Sequence, residues 1–365
     1  MGRLGNSRYP NTGATIGACL QRGVRVFAMA AVAACIALGA FALAGCSSDQ
    51  TASDGQADFS PVRIGTMPTE DFLPMWAAEK DGMFADAGVD VQLLTFDSAQ
   101  ALSAAIAAGE VDMAMVDVPR AVKLCESGTP VIMEWITLGA DASQGAFGVL
   151  AAADAPYDNL AEMAAYLQEG EGDFGKEGVG LAANTVPEYV FDMLCEEESI
   201  NPDDIPQQEV ASLPERFSLA ANGNLAAAAL PASMLRLGEA TGMKVLAEDT
   251  QGANISQSVM IATEQFAADN SEAIAKVAEA WNAAVQAIDA DPDAYSLLLA
   301  EKANLNDAIA STYPVSEYPL ATIGGEFQHP SDVLVEPQLM WMLGKGYTDS
   351  LFEYDEATGT IEVIE

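Results

Sequence analysis

The chain has 365 residues, 50% of them hydrophobic, and carries 54 acidic against 15 basic residues for a formal charge of −39. That much apolar sequence excludes a disordered protein and is ample for two packed domains. The sparse, scattered lysines and arginines exclude binding to a phosphate backbone, which needs clustered cations, and leave solubility as the plain reading of the acidity.

Arg22 and Arg25 precede an unbroken apolar run over 26–43, and Leu43-Ala44-Gly45-Cys46 follows. A basic flank, an apolar segment and small residues ahead of a cysteine read as a secretory signal with a lipid-attachment site at Cys46. The competing reading is a retained membrane helix, since the run just reaches spanning length. An acylated Cys46 would hold the mature chain on a membrane outside the cytoplasm, with 46–60 as a polar tether.

From Val62 the chain reads as strand, loop, helix. Val62 and Ile64 make a short strand, 66–71 a polar loop, and Phe72, Leu73, Trp76 and Ala77 the apolar face of a helix that stops at Gly82. Thr69 or Asp71 is the expected cap, and Pro74 is tolerated in the first turn. A second strand is expected over 89–96, where Asp97 and Ser98 cap a helix ending at Gly109. A third strand runs from Val111 into Asp117, a helical segment covers 119–125, and a fourth strand covers 131–138. Alternating strands and helices are the pattern of a parallel sheet.

The layout then repeats. Gly109, Val111, Ala114, Val116, Ala121, Gly128 and Val131 are matched by Gly223, Leu225, Ala228, Leu230, Leu235, Gly242 and Val245, every pair 114 residues apart. Val179 to Leu181, the loop through Asn184 and Thr185, and a helix over 188–197 restate the opening unit. Two similar α/β lobes explain both matches. Chain crossings between them are expected at 147–151 and 256–262, and 169–178 reads as an exposed acidic turn. Helices follow over 271–289, 292–303 and 334–345.

Cys125 and Cys195 are the only cysteines in the body of the chain and read as buried thiols or one disulfide. His329 is the single histidine, so neither a histidine metal site nor a Ser/His/Asp triad can be assembled without it. Asp289, Asp291 and Asp293 open like a calcium loop, but Ala294 and Ala300 stand where glycine and glutamate are required. No phosphate-binding fingerprint or nucleophile elbow is present. No cofactor, metal or catalytic residue is expected. The loops at the strand ends bear Met67, Pro68, Asp97, Ser98 and Asp117 in the first lobe and Asn184, Thr185 and Pro231 in the second. Each is also an ordinary cap or turn residue.

The stretches from Arg63 to Phe96, Ala107 to Asp117, Asn184 to Leu194, Leu213 to Pro231 and Ser256 to Ala262 together resemble the extracytoplasmic solute-binding proteins of ABC importers, in the nitrate, taurine, sulfonate and thiamine-precursor group. The resemblance implies a two-lobe periplasmic-binding-protein-like (type II) α/β fold with a hinge of two crossing strands. Lobe 1 would comprise 61–146 and 257–365, lobe 2 would comprise 147–256, and 1–45 would be the signal. It implies a monomer that closes on a small molecule and hands it to a membrane permease. The ligand-binding positions carried over by the match are Met67, Pro68, Asp97, Ser98, Asp117, Asn184, Thr185, Pro231 and Gln257; Phe72, which is also a core candidate, Glu188 and Tyr189 join them by their place beside these loops. Ala232 stands where many relatives carry an acid. Near these loops only Arg120 and Arg216 are arginines, against Asp71, Asp97, Asp117 and Glu188, and this balance favours an amine or nitrogen heterocycle over an inorganic anion. A pyrimidine-precursor enzyme on the same scaffold and a ligand-sensing lipoprotein are the alternatives.

Overall fold

The computed structural model describes residues 60–364 apart from 141–143, 145–146, 171, 252–255 and 306–312. Cys46, the apolar run before it and the tether lie outside the described residues.

The first lobe opens with β1 (Val62–Thr66), α1 (Leu73–Lys80), α2 (Met83–Ala87), β2 (Val91–Thr95), α3 (Ala99–Ala107), β3 (Met113–Asp117), α4 (Val118–Glu126) and β4 (Val131–Leu138). The second contains β5 (Phe147–Ala151), α5 (Leu160–Glu169), β6 (Val179–Leu181), α6 (Val186–Glu197), β7 (Gln207–Glu209), α7 (Leu213–Ala221), β8 (Ala227–Pro231), α8 (Ala232–Ala240) and β9 (Lys244–Glu248). The chain then returns through β10 (Ser258–Thr263), α9 (Glu264–Ala290), α10 (Asp293–Lys302), β11 (Thr322–Ile323), β12 (Glu326–Phe327), α11 (Asp332–Gly344), β13 (Leu351–Asp355) and β14 (Thr360–Ile364).

The two large sheets have one plan. In the first the order β2-β1-β3-β10-β4 is extended at its end by the β14-β13 hairpin, and in the second the order is β7-β6-β8-β5-β9. Each is a parallel set into which one antiparallel strand is inserted, β10 in the first and β5 in the second. These inserted strands are the ones that follow the two crossings, so each lobe's sheet is completed by chain arriving from the other.

The central strands are buried on both faces, as strands covered by helices on each side must be. Met113, Met115 and Met260 face a core built with α1, α9 and α10, and Ala114, Val116 and Val259 face one built with α3, α4 and α11. In the second lobe β8 is alanine-rich and wholly buried between α5 and α6 on one side and α7 and α8 on the other. The repeat is legible to the residue. α3 and α7, β3 and β8, and α4 and α8 are each displaced by 114 positions. Gly109 and Gly223 both end their helices at positive φ (69° and 68°), as do Gly128 and Gly242 (85° and 86°), where a side chain would be strained.

The crossing segments lie against each other. A methyl group added at Gly139 would come within 1.9 Å of the Ser256 carbonyl oxygen, so only glycine fits. The Phe147 N–H donates to Asp249 (3.1 Å) and the Thr137 hydroxyl to that of Ser258 (2.9 Å), tying the two crossings together.

Several expectations change. α1 starts at Leu73 after a 3-10 turn over Glu70–Phe72, and neither Thr69 nor Asp71 caps it. Phe72 is fully buried and packs edge-on against Trp76, so it belongs to the core. α9 begins at Glu264, kinks at Asn270 (φ −134°, ψ 33°) and absorbs the helix expected from Ser271. The acidic turn is not wholly exposed, because Phe174 meets Tyr157 edge-on and packs against the core of lobe 2. The β13-β14 hairpin was not expected. Its signal was present in the alternation of Phe352 and Tyr354 with Glu353 and Asp355 ahead of a turn at Gly359.

Candidate functional site

Strand register brings the loops together. Ile64 and Gly65 of β1 pair with Met113 and Ala114 of β3, and Val179 and Gly180 of β6 pair with Ala227 and Ala228 of β8. Gly65 and Gly180 are therefore equivalent, and both let a helix approach the sheet. A methyl at Gly65 would lie 2.5 Å from Leu102 of α3, and one at Gly180 would lie 2.5 Å from Leu225 and 3.2 Å from Arg216 of α7. Leu102 and Arg216 are 114 positions apart, so a guanidinium occupies in lobe 2 the place of a core leucine in lobe 1.

The loops that follow these strands face one another across a narrow cavity of about 40 Å³. Lobe 1 lines it with Met67, Thr69, Asp71, Met115 and Asp117, and lobe 2 with Phe147, Thr185, Val186, Leu213 and Arg216. Gln257 and Ser258, just past the second crossing, complete the wall. The lining is mostly apolar with a few polar groups, the usual make-up of a small-molecule site.

Its polar groups have distinct roles. Asp117 caps α4 by accepting the Arg120 N–H (2.8 Å) and also accepts the Val186 N–H at the start of α6 (3.0 Å), so one carboxylate joins the lobes. Burial raises its pKa, and Arg120 and these two N–H groups pull it partway back. Arg216 donates to the carbonyls of Val210 (2.9 Å), Ala229 (2.8 Å) and Ala211 (3.4 Å), and burial pushes its pKa down to about 10. Asp71 is only 6% exposed, and its Oδ1 has no hydrogen-bond partner among the described residues. Burial raises its pKa, the Thr69 and Ser258 hydroxyls counter the rise, and the Asp117 charge adds to it.

A second interlobe contact lies behind the Asn184 loop. Asn184 sits at positive φ (57°), and its N–H donates to Glu188 (2.7 Å). The Tyr347 hydroxyl donates to Glu188 (2.5 Å), Trp341 Nε1–H donates to Asp192 (2.8 Å), and Lys345 pairs with Asp192 (3.0 Å) and Glu188 (3.5 Å). Thus α11 and the turn after it, part of lobe 1, clasp α6 of lobe 2. The Arg120 guanidinium donates to the Asn184 carbonyl (3.3 Å), and its Nε–H is buried without a hydrogen-bond partner among the described residues.

Of the residues named from sequence, Met67, Asp117, Thr185 and Gln257 line the cavity together. Asp97 and Ser98 lie instead on a wider neighbouring groove, where Ser98 caps α3. Glu188 belongs to the clasp, and Tyr189 packs edge-on against Trp341 at 5.3 Å instead of facing the cavity. Asn184, Pro68 and Pro231 are buried beside the cavity without lining it, and Phe72 is in the core. Sequence reasoning missed Asp71, Thr69, Phe147, Leu213 and Ser258 as lining residues. The register gives the signal for Asp71. Offset by 115 from Gly65 to Gly180, it matches Val186, which also lines the cavity. His329 is far from this chemistry, its Nδ1 held 2.8 Å from the Met133 carbonyl oxygen.

The fold is shared with solved binding proteins. The alkanesulfonate-binding protein SsuA from Xanthomonas axonopodis pv. citri, bound to MOPS, superposes with a TM-score of 0.64 at 14% identity over 80% of this chain and 94% of that one. The periplasmic aliphatic sulphonate-binding protein SsuA from Escherichia coli gives 0.61 at 14% identity over 79% and 94%. The periplasmic nitrate-binding protein NrtA from Synechocystis PCC 6803 gives 0.55 at 14% identity over 67% and 66%. No curated protein sequence matches the chain. The two lobes, each a helix-flanked sheet with one strand received from the crossing, carry a sequence that the NMT1-like family model matches over residues 55–300, and the chain belongs to that family.

Proposed function

We propose that this chain is the solute-binding component of an ABC importer, anchored by an acylated Cys46 outside the cytoplasm. In this reading it captures one small organic solute, a nitrogen heterocycle, amine or sulfonate, as a monomer and delivers it to a membrane permease. The observation that carries the reading is the interlobe cavity, walled by equivalent loops from two halves that are joined through paired crossings and side-chain contacts. Such an arrangement can open and reclose around a ligand. The described residues include no helix long and apolar enough to cross a membrane. Met67, Asp117, Thr185 and Gln257 would contact the solute, and Asn184 and Glu188 would fix the loop that presents Thr185.

The test is a melting-temperature screen of the purified full chain against amines, nitrogen heterocycles, taurine, alkanesulfonates and nitrate. Ligand at about 100 times its dissociation constant stabilises by roughly 2.7 kcal/mol. A binding protein shows that rise with the solute recovered unchanged, whereas product detected by mass spectrometry would replace the reading with an enzyme. Cys46→Ser should release the protein from the membrane fraction, and retention of that variant would sink the anchor.

A further inference from the structure

The acids of the cavity wall are not equivalent. Asp117 is already engaged by two backbone N–H groups, one from each lobe. Asp71 is more than nine-tenths buried, lines the same cavity, and leaves Oδ1 without a partner among the described residues. An ionised carboxylate in that setting is costly unless a cation or donor meets it.

The cations nearby do not serve. Arg216 lines the cavity, but its Nε–H, Nη1 and Nη2 all donate to carbonyls of lobe 2, and its side chain fills the place of Leu102. Arg120 turns to the Asn184 carbonyl and is not part of the lining. An anionic solute would therefore meet Asp71 with no cation on the cavity lining but Arg216, which the carbonyls of its own lobe hold.

The neighbouring groove points the same way. It shares Ala211 with the cavity and is lined by Asp97, Glu177, Glu209 and Glu215, with neither lysine nor arginine among its lining residues. A mouth lined by one sign of charge concentrates solutes of the other.

Resting on the solute-capture reading, we infer that the solute is an organic cation, of the ammonium or amidinium class, whose charged nitrogen donates to Asp71 Oδ1 with Asp117 as the second acid. Its remaining surface packs on Met67, Met115, Phe147 and Leu213. This assigns to Asp71 the choice of charge and sets this cavity apart from one built for a sulfonate.

The test uses the full chain purified in detergent and dialysed exhaustively. Yeast extract of low molecular mass is divided by ion exchange into cation-exchanger-retained, anion-exchanger-retained and unretained fractions, and each is added in a melting experiment. The cation-exchanger fraction should raise the melting temperature by about 5 °C or more. In Asp71→Asn the concentration needed for that rise should increase at least about tenfold, the cost of losing one charged hydrogen bond. Asp71→Asn should itself fold, since it keeps the side chain's shape and removes a buried charge. Should it not, Asp71→Ser serves as the second variant. A rise with only the anion-exchanger or unretained fraction overturns the cation assignment and leaves solute capture standing. A cationic response unchanged in both variants overturns the role of Asp71, and no rise with any fraction counts against solute capture itself.

Discussion

Lys345→Met tests whether the clasp between α11 and α6 holds the two lobes. Lys345 lies 3.0 Å from Asp192 and 3.5 Å from Glu188, whose side chains are 3% and 1% exposed. Removing the ammonium leaves two buried carboxylates that keep only Trp341, Tyr347 and the Asn184 N–H as donors. Breaking a buried pair from one side costs about 3–5 kcal/mol. The Lys345 side chain is itself 20% exposed, so water offsets part of the loss and we expect about 2–3 kcal/mol. The pH dependence has a definite sign. Burial pulls the lysine pKa down, but Asp192 and Glu188 hold it above its ordinary value, so its contribution is present at neutral pH and lost only in strong alkali. Burial already raises Glu188, and without Lys345 that carboxyl rises further. A raised acid favours the folded state when protonated, so the variant's deficit should be largest near pH 8 and shrink towards pH 5. Urea unfolding at both pH values measures it. A deficit below about 0.5 kcal/mol, the range of neutral surface changes, or one identical at the two pH values, would refute the clasp.

Glu70 offers a separate titration. It is buried beside Asp71, accepts the Tyr313 hydroxyl, and burial pushes its pKa up to about 8. Its stabilising proton is held below the unfolded glutamate value and lost as pH rises through about 8, so stability should fall across that window by up to about 1.4 kcal/mol per pH unit. Glu70→Gln should flatten this slope in urea titrations, and an unchanged slope would refute the assignment. Gly65→Ala and Gly180→Ala each force a methyl to 2.5 Å from a leucine, and each should cost about 1–3 kcal/mol in chemical denaturation. If only one does, the two glycines are not equivalent. Cys125 and Cys195 are buried free thiols, the latter with a pKa pushed up to about 12 by burial, so both should resist Ellman's reagent until urea unfolds the chain.

How far the sequence could be read depends on whether a feature is spaced or oriented. Gly109 and Gly223, and Gly128 and Gly242, end elements because glycine alone tolerates positive φ, and spacing carries that information without help from tertiary contacts. The reading of a second α/β lobe followed from those positions. The C-terminal hairpin escaped because Leu351, Val363 and Ile364 are exposed, so its alternation is diluted by apolar residues on the solvent side. The early start of α9 escaped for another reason. Asn270 has non-helical angles inside the helix, and a local break in pattern there looks like an end.

The site was legible by location and opaque by direction. Strand ends place Met67, Asp117 and Thr185 in one cavity, because parallel strands deliver their following loops to one edge. Which acid faces the cavity is decided by one turn. Asp71 and Thr69 have the residue types of helix caps, but the 3-10 turn over Glu70–Phe72 moves the cap position on to Phe72 and leaves Asp71 against the cavity. Tyr189 was open to the opposite error. A tyrosine one turn into α6 could meet a ligand, yet Trp341, 152 residues later, occupies its face. The repeat resolves the third case without coordinates. Arg216 falls 114 residues after Leu102, a position on the apolar face of a helix, so its guanidinium had to be spent on backbone carbonyls within the lobe. With three of the Arg216 N–H groups held by carbonyls of its own lobe, Asp71 is left as the acid on the cavity wall with an oxygen unpartnered among the described residues.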